Sequence, residues 1–273
     1  MWAEHARSVI ATGRSPHFAP SEEILAIQRE RVSTFVANRG AGCLAVILGA
    51  TPELADIALK AGCRVVRIDC NPVMFEAAAG RQTQPDRRNE TVIIGDWLHL
   101  NTLRDGEADI VLGDSSLNNV PHADMPELLT ELARITRSGS MLSIRQIILP
   151  DEPVPRYEFP SAVADFRRGT ITNDEFHRRL RFYSFVDCAY DARSFVLDAR
   201  QVFVEIARKH EEGELTDAES DFLMSRYSEV QHTVYPCSQQ QRLLETLGDC
   251  ETVPPGLADC SRDLFKVFVV SRR

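Results

Sequence analysis

The sequence predicts an α/β protein built on a mostly parallel sheet, and three observations carry that prediction. Apolar runs recur at 43–48, 63–68, 91–94, 108–113 and 140–148. Helical patterns fill the gaps at 53–61, 72–79 and 124–137. The runs are continuous, without apolar/polar alternation, as expected of strands covered on both faces by helices.

The elements follow in order. Residues 2–12 and 21–38 read as N-terminal helices, the second opened by Ser21 as N-cap with Glu22 and Glu23 facing the positive helix end. The first strand ends in a tight turn at Gly49, followed by Thr51 as a helix cap and Pro52 at the first helical position. After Pro150 the pattern changes: Pro153, Pro155 and Pro160 punctuate a connection. Residues 161–230 then read as three or four helices with no strand, two of them announced by the Gly-Thr segments at 169–176 and 213–220. The sheet resumes with a helix at 238–247, a short strand around 251–253 and a last strand at 264–270. The turn Pro254-Pro255-Gly256 makes that pair a hairpin at the sheet edge, so the last strand is antiparallel. The division is an N-terminal helical cap (1–42), a core (43–150 and 235–273) and an α-helical lid insertion (151–234).

Composition narrows the function. In 273 residues, 44% apolar, a sizeable core can form. The net charge of −9 disfavours nucleic acid as a partner. Arg87-Arg88 and Arg178-Arg179 are the only short basic clusters and read as solvated faces. Seven cysteines without a C-x-x-C pair argue against a disulfide scaffold or a metal site and for a reducing compartment. No signal peptide or membrane span is visible, and the expected location is cytoplasmic. Composition leaves the oligomeric state open.

Chemistry-bearing residues gather at strand ends. Gly49-Ala50-Thr51-Pro52-Glu53-Leu54 has bulk at Thr51 and Leu54, where a dinucleotide fingerprint needs glycine, so a pyrophosphate would sit badly. The helix start still offers backbone donors to a carboxylate. Asp69, twenty residues after Gly49, suits the two hydroxyls of a ribose. Cys70 follows it, and Met74 lies along an adenine face or in the core. Asp96-Trp97 can accept from an adenine amino group and cover the ring, although Trp97 also suits a core or lid anchor. After the fourth strand come Asp114, Ser115, Ser116, Asn118, Asn119 and His122, more polar groups than a plain turn needs. Asp114 and His122 are candidates for a base or a positioning group, and Asn118 and Asn119 for orienting a substrate. Arg145 binds a carboxylate or forms a structural ion pair. His99, His177 and His232 fit surface or packing roles. Most lid aromatics are core residues at helical spacing.

Together these pieces resemble the class I S-adenosylmethionine (SAM)-dependent methyltransferases. The matching positions are the Gly49 turn, Asp69, Gly95-Asp96-Trp97, the segment Asp109 to Ser116 and Arg134 to Ser140. The segment Leu48 to Glu53 is similar to a bacterial subgroup with Leu-Gly-x-Thr-Pro-Glu in place of the glycine-rich loop. The resemblance implies a Rossmann-like methyltransferase fold with SAM as cofactor. Gly49, Ala50 and Thr51 would face its methionine part, Asp69 the ribose, Asp96 and Trp97 the adenine, and Asp114, Ser115 and Ser116 the wall beside the sulfonium, with Cys70 and Met74 also counted among the cofactor-binding candidates. Catalytic duty would fall to Asp114, Asn118 and His122, with no metal. The expected activity is methyl transfer to a small molecule. A second reading is cyclisation of SAM alone, as in azetidine-2-carboxylate synthases, releasing methylthioadenosine. A third is SAM binding without catalysis, and a dehydrogenase comes fourth because the glycines are missing.

Overall fold

The computed structural model describes residues 20–40, 42–152, 157–226, 229–256 and 261–273. The helix expected at 2–12 lies outside them. Seven strands form one sheet: β1 (Leu44–Leu48), β2 (Arg64–Asp69), β3 (Glu90–Ile94), β4 (Ala108–Asp114), β5 (Thr136–Ile147), β9 (Gly248–Val253) and β10 (Phe265–Arg272). Their spatial order is β3-β2-β1-β4-β5-β10-β9. Only β10 runs against the others, pairing antiparallel with both β5 and β9. The Rossmann-like class and the antiparallel last strand are therefore as expected.

Strand order reverses between β1 and β4, with β2 on one side of β1 and β4 on the other. In open α/β sheets the crevice at such a reversal, outside the carboxyl ends of the strands, is where ligands bind. The central strands sit deep because both faces are covered, whereas edge strand β3 leaves Val92 and Ile94 exposed, against the expectation of burial on both faces. Leu44, Val46 and Leu48 join a cluster with Leu128 and Leu132 of helix α4 (Met125–Ile135) and Leu244 of α10 (Cys237–Glu245). Ala45 and Ile47 join the opposite cluster, with Ile24 and Val32 of α1 (Glu22–Arg39) and Leu54 and Ala58 of α2 (Pro52–Lys60). Successive side chains point to opposite faces, so one unbroken apolar run feeds two cores. Each fully buried aliphatic side chain contributes about 1.5–3 kcal/mol.

Helix starts follow local chemistry. Ser21 Oγ accepts from Ile24 N at 3.4 Å, and Asn71 Oδ1 accepts from Val73 N at 3.1 Å to open α3 (Pro72–Ala79). Thr216 and Glu219 form a reciprocal capping box at the start of α9 (Asp217–Met224). Thr172 Oγ1 caps α6 (Asn173–Arg179) through Glu175 N.

The insertion expected to form a lid departs from the all-helical reading. Besides helices such as α5 (Phe159–Arg167) and α8 (Ala199–Glu211), it contains a small antiparallel sheet of β6 (Tyr190–Asp191), β7 (Val196–Asp198) and β8 (Gln231–Thr233). Strands of two or three residues are too short to show an alternation. Its aromatics Phe159, Phe176, Phe182, Phe185 and Phe203 are core residues, packed with Ile147 and Phe265 at the ends of β5 and β10. The arginine clusters are also not plain solvated faces. Arg87 joins Asp56 at 2.7 Å and also Glu90, while Arg179 joins Asp165 and Glu175, each at 2.6 Å.

Candidate functional site

The site is built from the carboxyl ends of β1, β2, β3 and β4. Gly49 ends β1 with φ +112°, a conformation that strains any residue with a side chain. Its N–H donates to Ile68 O at 2.8 Å, and the same carbonyl accepts Trp97 Nε1 at 2.7 Å. A methyl group placed on Gly49 would lie 3.7 Å from the Trp97 ring and 3.8 Å from Asp69 Oδ2. The turn therefore brings backbone, indole and carboxylate to one point. Trp97 is anchored through that hydrogen bond and its packing on the core, and its ring stands beside the Gly49 turn.

Asp69 stands half-buried at the end of β2, and Oδ1 accepts from Asn71 N at 2.9 Å. Burial pushes its carboxyl above the usual range, against hydrogen bonds from the Asn71 and Ala50 backbones that pull it down. In its ionised form this carboxyl is an acceptor suited to hydroxyl groups, and burial works against that form. Cys70 beside it is exposed as a residue, while partial desolvation of its thiol, with the Asp69 charge adding, raises its pKa. Met74 is half-buried but belongs to none of the three hydrophobic clusters, which favours the ligand-edge reading over the core. Asp96 is exposed and spends Oδ1 on Leu98 N at 3.0 Å.

Thr51 occupies the cap position of α2, yet its hydroxyl makes no capping bond. Glu53, in the first turn, accepts from Arg81 Nε at 2.6 Å through Oε1, while Oε2 is buried without a hydrogen-bond partner. Asp114 and Arg145, opposite each other across β4 and β5, form a buried ion pair. Burial raises the Asp114 carboxyl and the Arg145 charge opposes that rise. Arg145 also lies 4.6 Å over the Phe265 ring, so its role is the structural ion pair. Ser115 adopts φ +53°, and Ser116 Oγ is buried without a partner. A side chain at Gly113 would meet that oxygen at 2.1 Å.

Two of the three catalytic candidates are otherwise engaged. Asp114 is held by Arg145. Asn118 is 1% exposed: Nδ2 donates to Ile147 O at 2.9 Å and Thr233 O at 2.8 Å, and Oδ1 accepts from Ile147 N at 2.9 Å. Every hydrogen on its amide is used, which makes it a staple between β5 and β8 and leaves nothing for a substrate. Asn119 is exposed and donates to Ser115 O at 3.2 Å. His122 differs. Its imidazole is half-buried, Nδ1 lies 2.8 Å from Tyr235 Oη, and its ring meets Phe195 edge-on at 4.8 Å. His99 is exposed near Glu127, and His232 is buried in β8 with its pKa pushed down to about 3 by burial and by Arg181.

Sequence reading missed Glu53–Arg81, Tyr235 and the placement of Phe195 beside His122. Each partner is remote along the chain. Only the acid inside the Thr-Pro-Glu turn gave a local signal. A cavity of about 500 Å³, lined among others by Arg31, Phe35, Met141, Cys250 and Val269, lies at the opposite, amino edge of the sheet and contains none of these groups. Among the described residues no cluster of metal-ligating side chains occurs, and no helix is long and apolar enough to cross a membrane.

Comparison with known proteins adds to this geometry. Residues 48–144 match the family described as Methyltransferase domain. That segment runs from the last residue of β1 into β5 and includes Gly49, Asp69, Trp97, Asp114 and His122, but not Arg145, Phe195 or Tyr235. The cofactor assigned by this match is S-adenosylmethionine. A demethylmenaquinone methyltransferase from Thermobifida fusca is 35% identical over 98 residues, 36% of this chain and 40% of that protein. The chain thus matches well under half the length of that relative. Among solved structures, one described as an S-adenosylmethionine-dependent methyltransferase from Listeria monocytogenes aligns over 93% of this chain and all of that one. Its TM-score is 0.52 and its identity 11%. Another, described as a zinc-dependent alcohol dehydrogenase from Rhodobacter sphaeroides, aligns over 99% and 98% with TM-score 0.55 and 16% identity. At such identities both show the fold alone.

The residues present fit the cofactor. Gly49 admits a close approach, Asp69 is a ready acceptor, and the orphaned oxygen of Glu53 suits an ammonium group.

Proposed function

We propose that the protein transfers a methyl group from SAM to a small molecule held between the strand ends and the lid. The observation that carries this reading is the Asp69 carboxylate poised beside the Gly49 turn within the segment that matches a methyltransferase domain. SAM supplies an electrophilic methyl on a sulfonium. The chain supplies the rest. Gly49, Ala50 and the Thr51 hydroxyl hold the amino-acid part, with Glu53 and Arg81 beside it. Asp69 and Cys70 border the ribose, and Met74, Asp96 and Trp97 border the adenine. Asp114, Ser115 and Ser116 wall the reacting end, with Asp114 a positioner fixed by Arg145. Alignment of the acceptor with the methyl group supplies most of the rate in such a transfer. His122 faces the acceptor, and Asn118 holds the lid to the core.

The test is incubation with SAM, with and without a metabolite extract and separately with demethylmenaquinone, the substrate in the relative's name, followed by mass spectrometry. S-adenosylhomocysteine formed only with an acceptor is the expected result. Methylthioadenosine from SAM alone would instead assign cyclisation. A melting temperature unmoved by saturating SAM would overturn cofactor binding itself, since a ligand of the native state must stabilise it.

A further inference from the structure

We infer that Tyr235 fixes His122 as a hydrogen-bond donor, with the proton on Nε2, aimed at an oxygen atom of the methyl acceptor. The substrate half of this inference rests on the methyl-transfer reading above; the tautomer half does not.

Tyr235 is 1% exposed, and His122 Nδ1, at 2.8 Å, is the single hydrogen-bond partner of its hydroxyl among the described residues. Burial pushes its phenol up to about 12, so the oxygen keeps its hydrogen near neutral pH. A buried O–H left without an acceptor costs about 1–3 kcal/mol. The phenol therefore donates and Nδ1 accepts. In a neutral imidazole one nitrogen carries the hydrogen, so acceptance at Nδ1 places it on Nε2.

Two further features mark the arrangement as built. Phe195 packs on both rings, 4.8 Å from His122 and 4.7 Å from Tyr235, and does so at φ +55°. A bulky residue in the left-handed region persists only where its surroundings hold it there. The pair also sits at the correct edge. His122 lies eight residues beyond Asp114 at the end of β4, and Tyr235 O accepts from Leu149 N at 2.9 Å just past the end of β5. Nε2 makes no hydrogen bond among the described residues and is not among the buried unpartnered atoms.

The consequence is chemical. An Nε2–H group cannot take a proton from the acceptor. It can hold and stabilise an oxygen that carries or develops negative charge. The substrate class is therefore a small molecule whose methylated atom is, or lies beside, a carbonyl, enolate, phenolate or carboxylate oxygen.

Long-range ¹H–¹⁵N correlation of His122 in the full chain with S-adenosylhomocysteine reads the tautomer directly. The expected result is Nε2–H in the unmodified protein and a mixture of tautomers in Tyr235→Phe. Predominant Nδ1–H in the unmodified protein would overturn the inference, and that result stands even if the variant fails to fold. A second arm uses the acceptor found by the product assay. His122→Gln places an amide donor near the Nε2 position, so its rate falls no more than about fivefold, while His122→Ala falls roughly tenfold or more. Equal loss in both would assign His122 as a base and overturn the donor role. Absence of any methyl transfer by the unmodified protein would instead count against the function, leaving the tautomer result to decide the Tyr235–His122 part.

Discussion

Asp69 faces two opposing demands. As an ionised group it is a strong acceptor for ribose hydroxyls, and hydrogen bonds to charged groups contribute about 1.5–3 kcal/mol. As a buried carboxyl its proton is held more tightly in the folded protein than in the unfolded chain. An acid whose folded pKa is raised gives its full stability below the ordinary carboxylate pKa and loses it as pH rises through the folded value. The Asp69 contribution to the stability of ligand-free protein should therefore be lost from about pH 4 upward through that window. Asp69→Asn should flatten this part of the curve of melting temperature against pH. The same variant should weaken SAM binding by roughly tenfold or more, because one acceptor becomes a donor. Titration calorimetry reads the second effect, and unchanged affinity would remove Asp69 from the site.

At the scale of elements, the central strands were legible because each carries an apolar run bounded by turn residues, whereas β9, Gly-Asp-Cys-Glu-Thr-Val, carries none and showed only its last three residues. β1 shows why: all five of its residues are buried, split between two faces. The lid strands were not legible. β8 is three residues, Gln231-His232-Thr233, and is a strand only because β7 lies beside it. The strand-end positions of Gly49, Asp69 and Trp97 could be read from spacing, whereas Asn118 could not be assigned. Its residue type fits a substrate contact as well as a staple, and the partners that decide, Ile147 and Thr233, are 29 and 115 positions away. Asn118→Ala would strand three buried backbone groups, at a cost of roughly 3 kcal/mol or more. Denaturant midpoints should show that loss, and a variant of normal stability but no activity would restore Asn118 to the catalytic set. His232 adds a second effect in the same strand. With its pKa near 3 in the folded protein and about 6.5 when unfolded, it binds its proton only in the unfolded chain between those values. The His232 contribution to stability should fall as pH drops through that window, by up to ~1.4 kcal/mol per unit, opposite in sign to that of Asp69. His232→Asn should reduce the acid slope, and an unchanged slope would place the acid-sensitive group elsewhere.

For the whole molecule, the question is whether lid and sheet are separable. The lid cluster contains Ile147 of β5 and Phe265 of β10, so part of its apolar core is the edge of the main sheet. The sheet cluster in turn contains Tyr235, with Phe195 packed against it. Asn118 and Thr233 tie the two across buried hydrogen bonds, Thr233 Oγ1 donating to Val120 O at 2.7 Å. Opening the lid as a rigid body would expose these apolar faces and break the bonds together, which is the condition for cooperative, two-state unfolding. Fluorescence of Trp97, isolated by Trp2→Phe, and tyrosine absorbance, read in a Tyr235→Phe background so that Tyr157, Tyr183 and Tyr190 dominate, should therefore follow one denaturant transition with one midpoint. Saturating SAM at a hundredfold excess over its dissociation constant should move that single transition by about 2.7 kcal/mol, with both probes shifting equally. Two midpoints, or a ligand shift confined to Trp97, would mean that the lid folds on its own and that its contacts with β5 and β10 are too weak to couple acceptor binding to the cofactor site.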